Sequence, residues 1–300
     1  MRRRGAGGAG AATIARNGTG LRSRRRRAAP KARSGGEVEE AVVPQMSRDT
    51  VTKRPAQRLA ARAEAEGLRW LADGAHERSF VAEVVEASDE EIVTRRVPAG
   101  RPSAEAARTA GRELARLHDS GAEAFGCPPP GWDGPNYIGT AEQECTPTDD
   151  WAEFYVEQRV LPFARDAVAA GHLDRGGLEE VEEACRLVRG HDWGDPKPAR
   201  IHGDLWSGNL LFGKDGPVLI DPAAHGGHRV TDLAMLALFG APGLEEIFAG
   251  YEEVHPLPQG WREDIPAHQL HPLAVHAKTH GPAYGDALVD AVRRVTARLG

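Results

Sequence analysis

Short runs in which apolar and polar residues alternate fill the chain between residue 35 and about residue 97. Four of these runs predict β-strands, at residues 38–43, 50–53, 80–85 and 91–97. Residues 56–73 are rich in strong helix formers and are followed by Gly74, which predicts one helix with a glycine C-cap. The pattern therefore predicts a small, strand-rich lobe over residues 35–97.

From residue 98 onward, apolar residues recur every three or four positions, as they do on one face of a helix. Ser103 and Asp150 each precede such a segment, and both residue types cap helices at the N-terminus. A predicted hairpin interrupts the pattern, with apolar strands at residues 210–212 and 218–220 around the turn Gly-Lys-Asp-Gly. We therefore predict an α+β fold of two lobes, the larger one mainly helical and spanning residues 98–300.

The first 34 residues contain almost no large apolar side chain and can form no core. Residues 1–36 carry 11 arginines and lysines and no acid, so the alternatives are a nucleic-acid or membrane arm and a targeting peptide. A secretory signal is excluded, because it requires an apolar stretch of roughly 7–15 residues. We predict a disordered basic leader over residues 1–34.

The composition excludes several classes of protein. Hydrophobic residues make up 40% of the 300 residues, enough for a sizeable core, yet no apolar stretch is long enough for a membrane helix. Beyond residue 36, 27 basic and 44 acidic residues leave a net charge of −17, which disfavours a nucleic-acid partner. Three scattered cysteines indicate neither a disulfide framework nor a zinc site, and they fit a reducing cytoplasm.

Candidate chemistry is concentrated between residues 201 and 235. Asp204 and Asn209 stand just before the predicted hairpin, and Asp221 stands directly after its second strand. The hairpin places Asn209 and Asp221 side by side, and such oxygen ligands suit Mg²⁺ bound together with substrate phosphates. Asp204 lies on the same loop, offset from the metal and free to accept a proton.

These residues reproduce the spacing of the kinase catalytic signature, in which His-Arg-Asp is followed by an asparagine and then by a metal-binding aspartate. Here the first three residues are His202, Gly203 and Asp204. The arginine of protein kinases provides the positive charge that interacts with a phosphorylated activation loop. Glycine at this position lacks that charge, which favours a small-molecule kinase. The alternative is a polar turn followed by an ordinary helix cap.

Longer strings resemble one kinase family. HGDLWSGN at residues 202–209 and DPAAHGGHRVTDLAMLALFG at residues 221–240 are similar to the fructosamine kinase, or ketosamine-3-kinase, family. NYIG at residues 136–139 and QLHPLAVHA at residues 269–277 match the same family. The resemblance extends from about residue 50 to about residue 290 and is strongest in the second half of the chain.

The resemblance implies a protein-kinase-like fold and a set of roles. Asp204 would be the catalytic base that takes the proton from the attacking sugar hydroxyl, and Asn209 and Asp221 would hold Mg²⁺ on the phosphates of ATP. Lys53 would contact those phosphates, with Glu64 as its ion-pair partner. The alternatives are a solvated charge pair for Lys53 and a surface acid for Glu64, which has Glu66 close by.

The resemblance also implies the positions of the adenine and the sugar. The glycine turn over the phosphates would be Gly35 and Gly36, or these would be only a linker. The interlobe hinge that offers backbone groups to adenine would be Arg95, Arg96 and Val97. Residues on the substrate side would be Trp206, an aromatic wall for the sugar or else a core residue, and His202, which we interpret mainly as a buried hydrogen-bonding residue.

Three features of the small lobe and one of the large lobe depart from the family pattern. Residues 21–34 are basic where an apolar strand leads into the glycine turn, and Arg95 replaces an acid. Glu37 stands where some relatives have cysteine, so we expect no thiol-based control there. His228-Arg229-Val230 replaces His-Arg-Glu. We expect these changes to affect ATP affinity more than chemistry.

The sequence therefore favours a cytoplasmic, ATP- and Mg²⁺-dependent kinase that phosphorylates the 3-hydroxyl of ketosamines and acts in deglycation. Its partner would be a small ketosamine, such as a glycated amine or lysine, with no nucleic acid and no membrane involved. One alternative is another small-molecule kinase that acts on an aminoglycoside, choline or homoserine-like alcohol. The other is a catalytically silent pseudokinase.

Overall fold

The computed structural model describes residues 44–300 of the chain. The predicted leader over residues 1–34, the predicted glycine turn at Gly35 and Gly36, Glu37 and the predicted strand at residues 38–43 lie outside the described residues. Within the described part, the predicted α+β architecture of a small strand-rich lobe and a large helical lobe is confirmed.

The small lobe consists of one antiparallel sheet and one helix. Its elements are β1 (Gln45–Met46), β2 (Thr50–Lys53), α1 (Ala60–Gly74), β3 (Val84–Ala87) and β4 (Ile92–Arg95). The strand order is β1-β2-β4-β3. The prediction for β2 is confirmed, whereas β3 begins later than predicted. Residues 78–80 form a 3-10 turn, and Val81 forms a bridge to Leu219 in the large lobe.

Helix α1 has one buried, apolar face. The buried residues recur at helical spacing: Ala61, Ala65, Leu68 and Leu71. The predicted start at residue 56 is wrong, because the helix begins at Ala60. Leu59 before it has a left-handed φ of 66°, a conformation that interrupts a right-handed helix.

The large lobe is mainly helical. Its helices are α2 (Ala104–Asp119), α3 (Trp151–Phe154), α4 (Leu161–Ala169), α5 (Arg175–Gly190), α6 (Val230–Phe239), α7 (Leu244–Val254), α8 (Trp261–His268), α9 (Leu270–His280) and α10 (Pro282–Leu299), with a π-helix at residues 155–160. The predicted caps are confirmed, since the side chains of Ser103 and Asp150 accept backbone hydrogen bonds at the starts of α2 and α3. None of the helices between residues 44 and 300 has the length and apolar character needed to cross a bilayer.

Helices α2 and α7 approach each other closely because both carry glycine at the contact. A Cβ atom on Gly111 would lie 1.9 Å from the carbonyl oxygen of Ile247, and one on Gly250 would lie 2.0 Å from that of Arg108. Any larger residue at either position would force the helices apart. This contact fixes the packing of α2, which carries the buried His118.

Short strand pairs bring distant parts of the large lobe together. They are β5 (Asn136–Ile138), β6 (Ala141–Gln143), β7 (Ala199–Ile201), β8 (Leu210–Gly213), β9 (Gly216–Leu219) and β10 (His225–Gly227). The predicted hairpin is confirmed as the β8–β9 pair, although β9 begins two residues earlier than expected. Strand β7 pairs with β10, so the segments before and after this hairpin lie next to each other.

Candidate active site

The loop between β7 and β8 is anchored by one buried carboxylate. Asp232 accepts hydrogen bonds from the backbone N–H groups of His202 at 2.7 Å and Gly203 at 3.0 Å. His118 Nε2 lies 3.1 Å from the same carboxylate. Burial raises the pKa of Asp232, but its hydrogen bonds to His118 and to the backbone of His202 outweigh burial and lower the pKa overall. The carboxylate is therefore charged and fixes the backbone just before Asp204.

Gly203 cannot be replaced at this position without moving the loop. Its φ of 80° is left-handed, and a Cβ atom would lie 2.3 Å from the carbonyl oxygen of Ala223. The glycine that replaces the arginine of protein kinases thus also allows the segment after Asp221 to pack directly on the loop.

His202 lies beneath the loop and not in the cleft, which corrects its placement on the substrate side. Its side chain is fully buried, Nε2–H donates to the carbonyl of Ile220 at 2.8 Å, and Nδ1 accepts from the N–H of Asp204 at 3.2 Å. Burial lowers the pKa of His202, so the ring is neutral. A neutral ring with both nitrogens bonded shapes the loop and has no proton to exchange with a ligand.

The structure brings Asp204, Asn209 and Asp221 together, as the hairpin predicts. Asn209 Nδ2 donates to the carbonyl of Asp204 at 2.8 Å and to its Oδ2 at 3.2 Å. Burial, together with the charge of Asp221, raises the pKa of Asp204 to about 8. A carboxylate that holds a proton this readily is suited to general-base chemistry.

Asp221 adopts an unusual backbone conformation. Its φ of 54° lies in the left-handed region that non-glycine residues seldom occupy. Such conformations are concentrated at functional sites, where the surrounding structure holds them in place. Here the hydrogen bond from Ala223 N–H to the carbonyl of His202 holds the following segment, and the Asp221 side chain reaches towards the small lobe.

Lys53, at the end of β2, forms the small-lobe side of the site. Its Nζ lies 2.5 Å from Glu64 on α1 and 2.8 Å from Asp221 across the cleft. Burial lowers the pKa of Lys53, but the two carboxylates outweigh that effect and raise it overall. Glu66 pairs instead with Arg69 on the exposed face of α1, so Glu64 is the partner that reaches the lysine.

These residues line a cleft of about 320 Å³. Trp206 lies at its edge with 43% of its surface exposed, and its ring packs on the backbone of Gly208, where a Cβ atom would clash at 2.3 Å. Asn136 and Tyr137 from the β5–β6 hairpin, which the sequence indicated only through a family string, line the opposite part. An exposed aromatic face beside a base and a lysine is suited to an acceptor with an apolar ring face.

The three residues predicted to form the interlobe hinge line a different cavity from the cleft. The side chain of Arg95 pairs with Glu83 at 3.2 Å, and the N–H of Arg96 donates to the carbonyl of Asp49. Arg95, Arg96 and Val97 line a second cavity of about 440 Å³ that shares no residue with the cleft. The structure therefore does not bring these three side chains to the site, and their backbone role towards adenine stays a prediction.

The donor atoms present fit a divalent cation. Asn209 turns its Nδ2 towards Asp204, so Oδ1 makes no hydrogen bond within residues 44–300, and Asp221 uses only Oδ1 to contact Lys53. One carboxylate oxygen and one amide oxygen, completed by phosphates and water, are ligands that Mg²⁺ accepts. No three His, Cys, Asp or Glu side chains in this part of the chain form a metal cluster.

The fold and this arrangement together define a protein-kinase-like protein with the residue set of a small-molecule phosphotransferase. The crystal structure of a candidate fructosamine-3-kinase from Thermobifida fusca YX-ER1 matches with a TM-score of 0.77 at 42% identity, covering 86% of this chain and 93% of that one. A choline/ethanolamine kinase family protein from Mesorhizobium loti shares the fold at a TM-score of 0.54 and 17% identity, covering 89% of this chain and 88% of that one.

The sequence profile described as "Fructosamine kinase" matches residues 21–298. This chain therefore belongs to the fructosamine kinase family. The "Probable ketoamine kinase YniA" of Escherichia coli K12 is 37% identical over 175 residues, and that alignment spans 57% of each protein. The chain thus matches just over half the length of this curated relative.

Proposed function

We propose that this protein transfers the γ-phosphoryl group of Mg·ATP to the 3-hydroxyl of a ketosamine, a sugar adduct of an amine. The observation that carries the proposal is the meeting of Asp204, Asn209, Asp221 and Lys53 in one cleft, on the fold of this family. Phosphorylation at that hydroxyl destabilises the adduct, which gives the enzyme a role in deglycation.

Each residue has one task in this proposal. Asp204 accepts the proton of the attacking hydroxyl, and its raised pKa favours that step. Asn209 and Asp221 hold Mg²⁺, which neutralises charge on the phosphates, and Lys53 binds the phosphates from the small lobe. Because phosphoryl transfer needs little covalent help, positioning and charge neutralisation supply most of the catalysis.

The deciding experiment measures ADP release by purified protein with Mg·ATP on matched acceptors. Ribulosyl-lysine and fructosyl-lysine are compared with free fructose, choline and an aminoglycoside. We expect turnover on a ketosamine and none on the free sugar, and NMR of the product locates the phosphate on carbon 3. Turnover on choline or the aminoglycoside alone would replace the ketosamine by another alcohol, and a failure to bind ATP would favour a silent pseudokinase.

The Asp204→Asn variant tests the base directly. It keeps the shape of the side chain but cannot accept the proton, so kcat on the preferred ketosamine should fall on the order of 10²–10⁴-fold. The Kd of Mg·ATP, measured by calorimetry, serves as the control for an intact site. An unchanged kcat with intact ATP binding would remove Asp204 from the mechanism.

A further inference from the structure

The β5–β6 hairpin of the large lobe contacts both sides of the cleft with two adjacent residues. Asn136 Nδ2 donates to the carbonyl of Ala224 at 3.1 Å, three residues after Asp221. Tyr137 donates its hydroxyl to the carbonyl of Arg58 in the small lobe at 3.0 Å. One short hairpin therefore connects the segment that follows Asp221 with the segment that follows Lys53.

At the small-lobe end of this connection, helix α1 begins without a side-chain cap. Arg58 lies between Lys53 and α1. Leu59, which has a left-handed conformation, donates its N–H to the carbonyl of Asp89 at 3.2 Å, and its carbonyl accepts from the N–H of Ala63 at 2.8 Å. Burial raises the pKa of Tyr137, so its hydroxyl stays protonated and can donate. The hydroxyl thus gives the loop that joins Lys53 to the helix of Glu64 a direct hydrogen bond to the large lobe, at an exposed position.

We propose that Tyr137 is a positioning residue that sets Lys53 against Asp221 for binding of the ATP phosphates. The proposal rests on the proposed function only in assigning Lys53 to those phosphates. Tyr137 acts through the backbone of Arg58 and the ion pair of Lys53 with Glu64. Because its ring also lines the cleft, the competing role is a direct contact with the acceptor, and the two roles predict different measurements.

The experiment measures the Kd of Mg·ATP by calorimetry, without any acceptor, for wild type and Tyr137→Phe. Loss of one neutral hydrogen bond should weaken ATP binding about 2- to 12-fold. Hydrogen exchange of the amides between residues 54 and 64 should become faster in the variant. The control is Tyr155→Phe, which removes a buried large-lobe hydroxyl that donates to the carbonyl of Ala267 at 2.9 Å and accepts from the N–H of His271 at 3.1 Å; it should leave the Kd of ATP unchanged.

A double-mutant cycle tests whether the effect passes through the lysine. In a Lys53→Met background, Tyr137→Phe should no longer weaken ATP binding. An equal loss in both backgrounds would overturn the proposal, as would an unchanged Kd of ATP with a raised KM for the acceptor. If ketosamine turnover is absent while wild type binds ATP, only the substrate assignment fails. If wild type binds no ATP, both proposals fail.

Discussion

The two walls of the cleft are held by different forces. The large-lobe wall rests on hydrogen bonds from buried backbone groups to Asp232, and its main residues fall within a stretch of about thirty positions. The small-lobe wall rests on the ammonium group of Lys53, which pairs with one acid 11 positions away and another 168 positions away. One wall is anchored locally on a buried carboxylate, and the other is assembled from charges distant in sequence, of which Asp221 has a side chain 45% exposed.

This difference has a physical consequence for each wall. A buried hydrogen bond cannot be exchanged for water, so removing its acceptor costs the desolvation of every donor that remains. A partly exposed ion pair gains less from its partner, because water and salt screen it, yet its charges are available to a ligand. We therefore expect changes in the large-lobe wall to affect stability most, and changes in the small-lobe wall to affect ATP binding most.

The largest stability effect should come from Asp232→Ala. The substitution leaves the N–H groups of His202 and Gly203, and the ring of His118, without their acceptor. At about 1–3 kcal/mol for each unpaired buried donor, the free energy of unfolding should fall by at least about 3 kcal/mol. Urea unfolding measures it.

The matched control is Asp89→Ala, which breaks an exposed pair with Arg62 in the small lobe. Its cost should stay within about 1 kcal/mol, the usual worth of a surface ion pair. Equal losses in the two variants would remove the distinction between the walls.

Local features of the large-lobe wall were predictable from the sequence. Asp204, Asn209 and Asp221 lie at fixed spacing around one hairpin, so secondary structure alone brings them together. The contact of Asp232 with His118 spans 114 positions, and that of Tyr137 with Arg58 spans 79. No periodicity or propensity records such a pairing, because it depends on how separate elements pack.

In the small lobe, too, contacts between residues distant in sequence could not be predicted. The pairing of Lys53 with Glu64 follows from the family pattern, and the position of β2 follows from alternation. The start of α1 could not be predicted, because Leu59 has a left-handed conformation that leucine seldom adopts. The N–H of Leu59 donates to the carbonyl of Asp89, a contact between residues distant in sequence. The side chain of Arg95 likewise pairs with Glu83, just before the neighbouring strand β3, a contact that depends on the sheet register.

The next effect in size concerns Lys53→Met. Removing the ammonium deletes one charge-assisted contact with the phosphates, so the Kd of Mg·ATP should rise about 10- to 150-fold. Lys278→Met, which breaks an exposed pair with Asp166 far along the chain, is the control and should leave that Kd unchanged. If Lys53→Met bound ATP as wild type does, the small-lobe wall would not be the binding wall.

The smallest expected effect is a pH dependence of the free energy of unfolding that arises from a histidine of the large lobe. Burial, aided by the charge of Arg229, lowers the pKa of His228 to about 3, against about 6.5 in an unfolded chain. Between pH 7.5 and 5.5, His228 therefore becomes protonated in the unfolded chain but stays neutral in the folded protein. This histidine therefore lowers the free energy of unfolding by about 1.4 kcal/mol over that range.

His228→Asn keeps an acceptor for the N–H of Val230 but removes the titrating ring. Its loss of stability between pH 7.5 and 5.5 should therefore be smaller than that of wild type by about 1.4 kcal/mol. The difference between variants is the proper measure, because Asp204, with its pKa raised to about 8, stabilises the fold as pH falls and masks the total. Equal pH dependence in wild type and His228→Asn would mean that the pKa of this ring is not lowered in the folded protein.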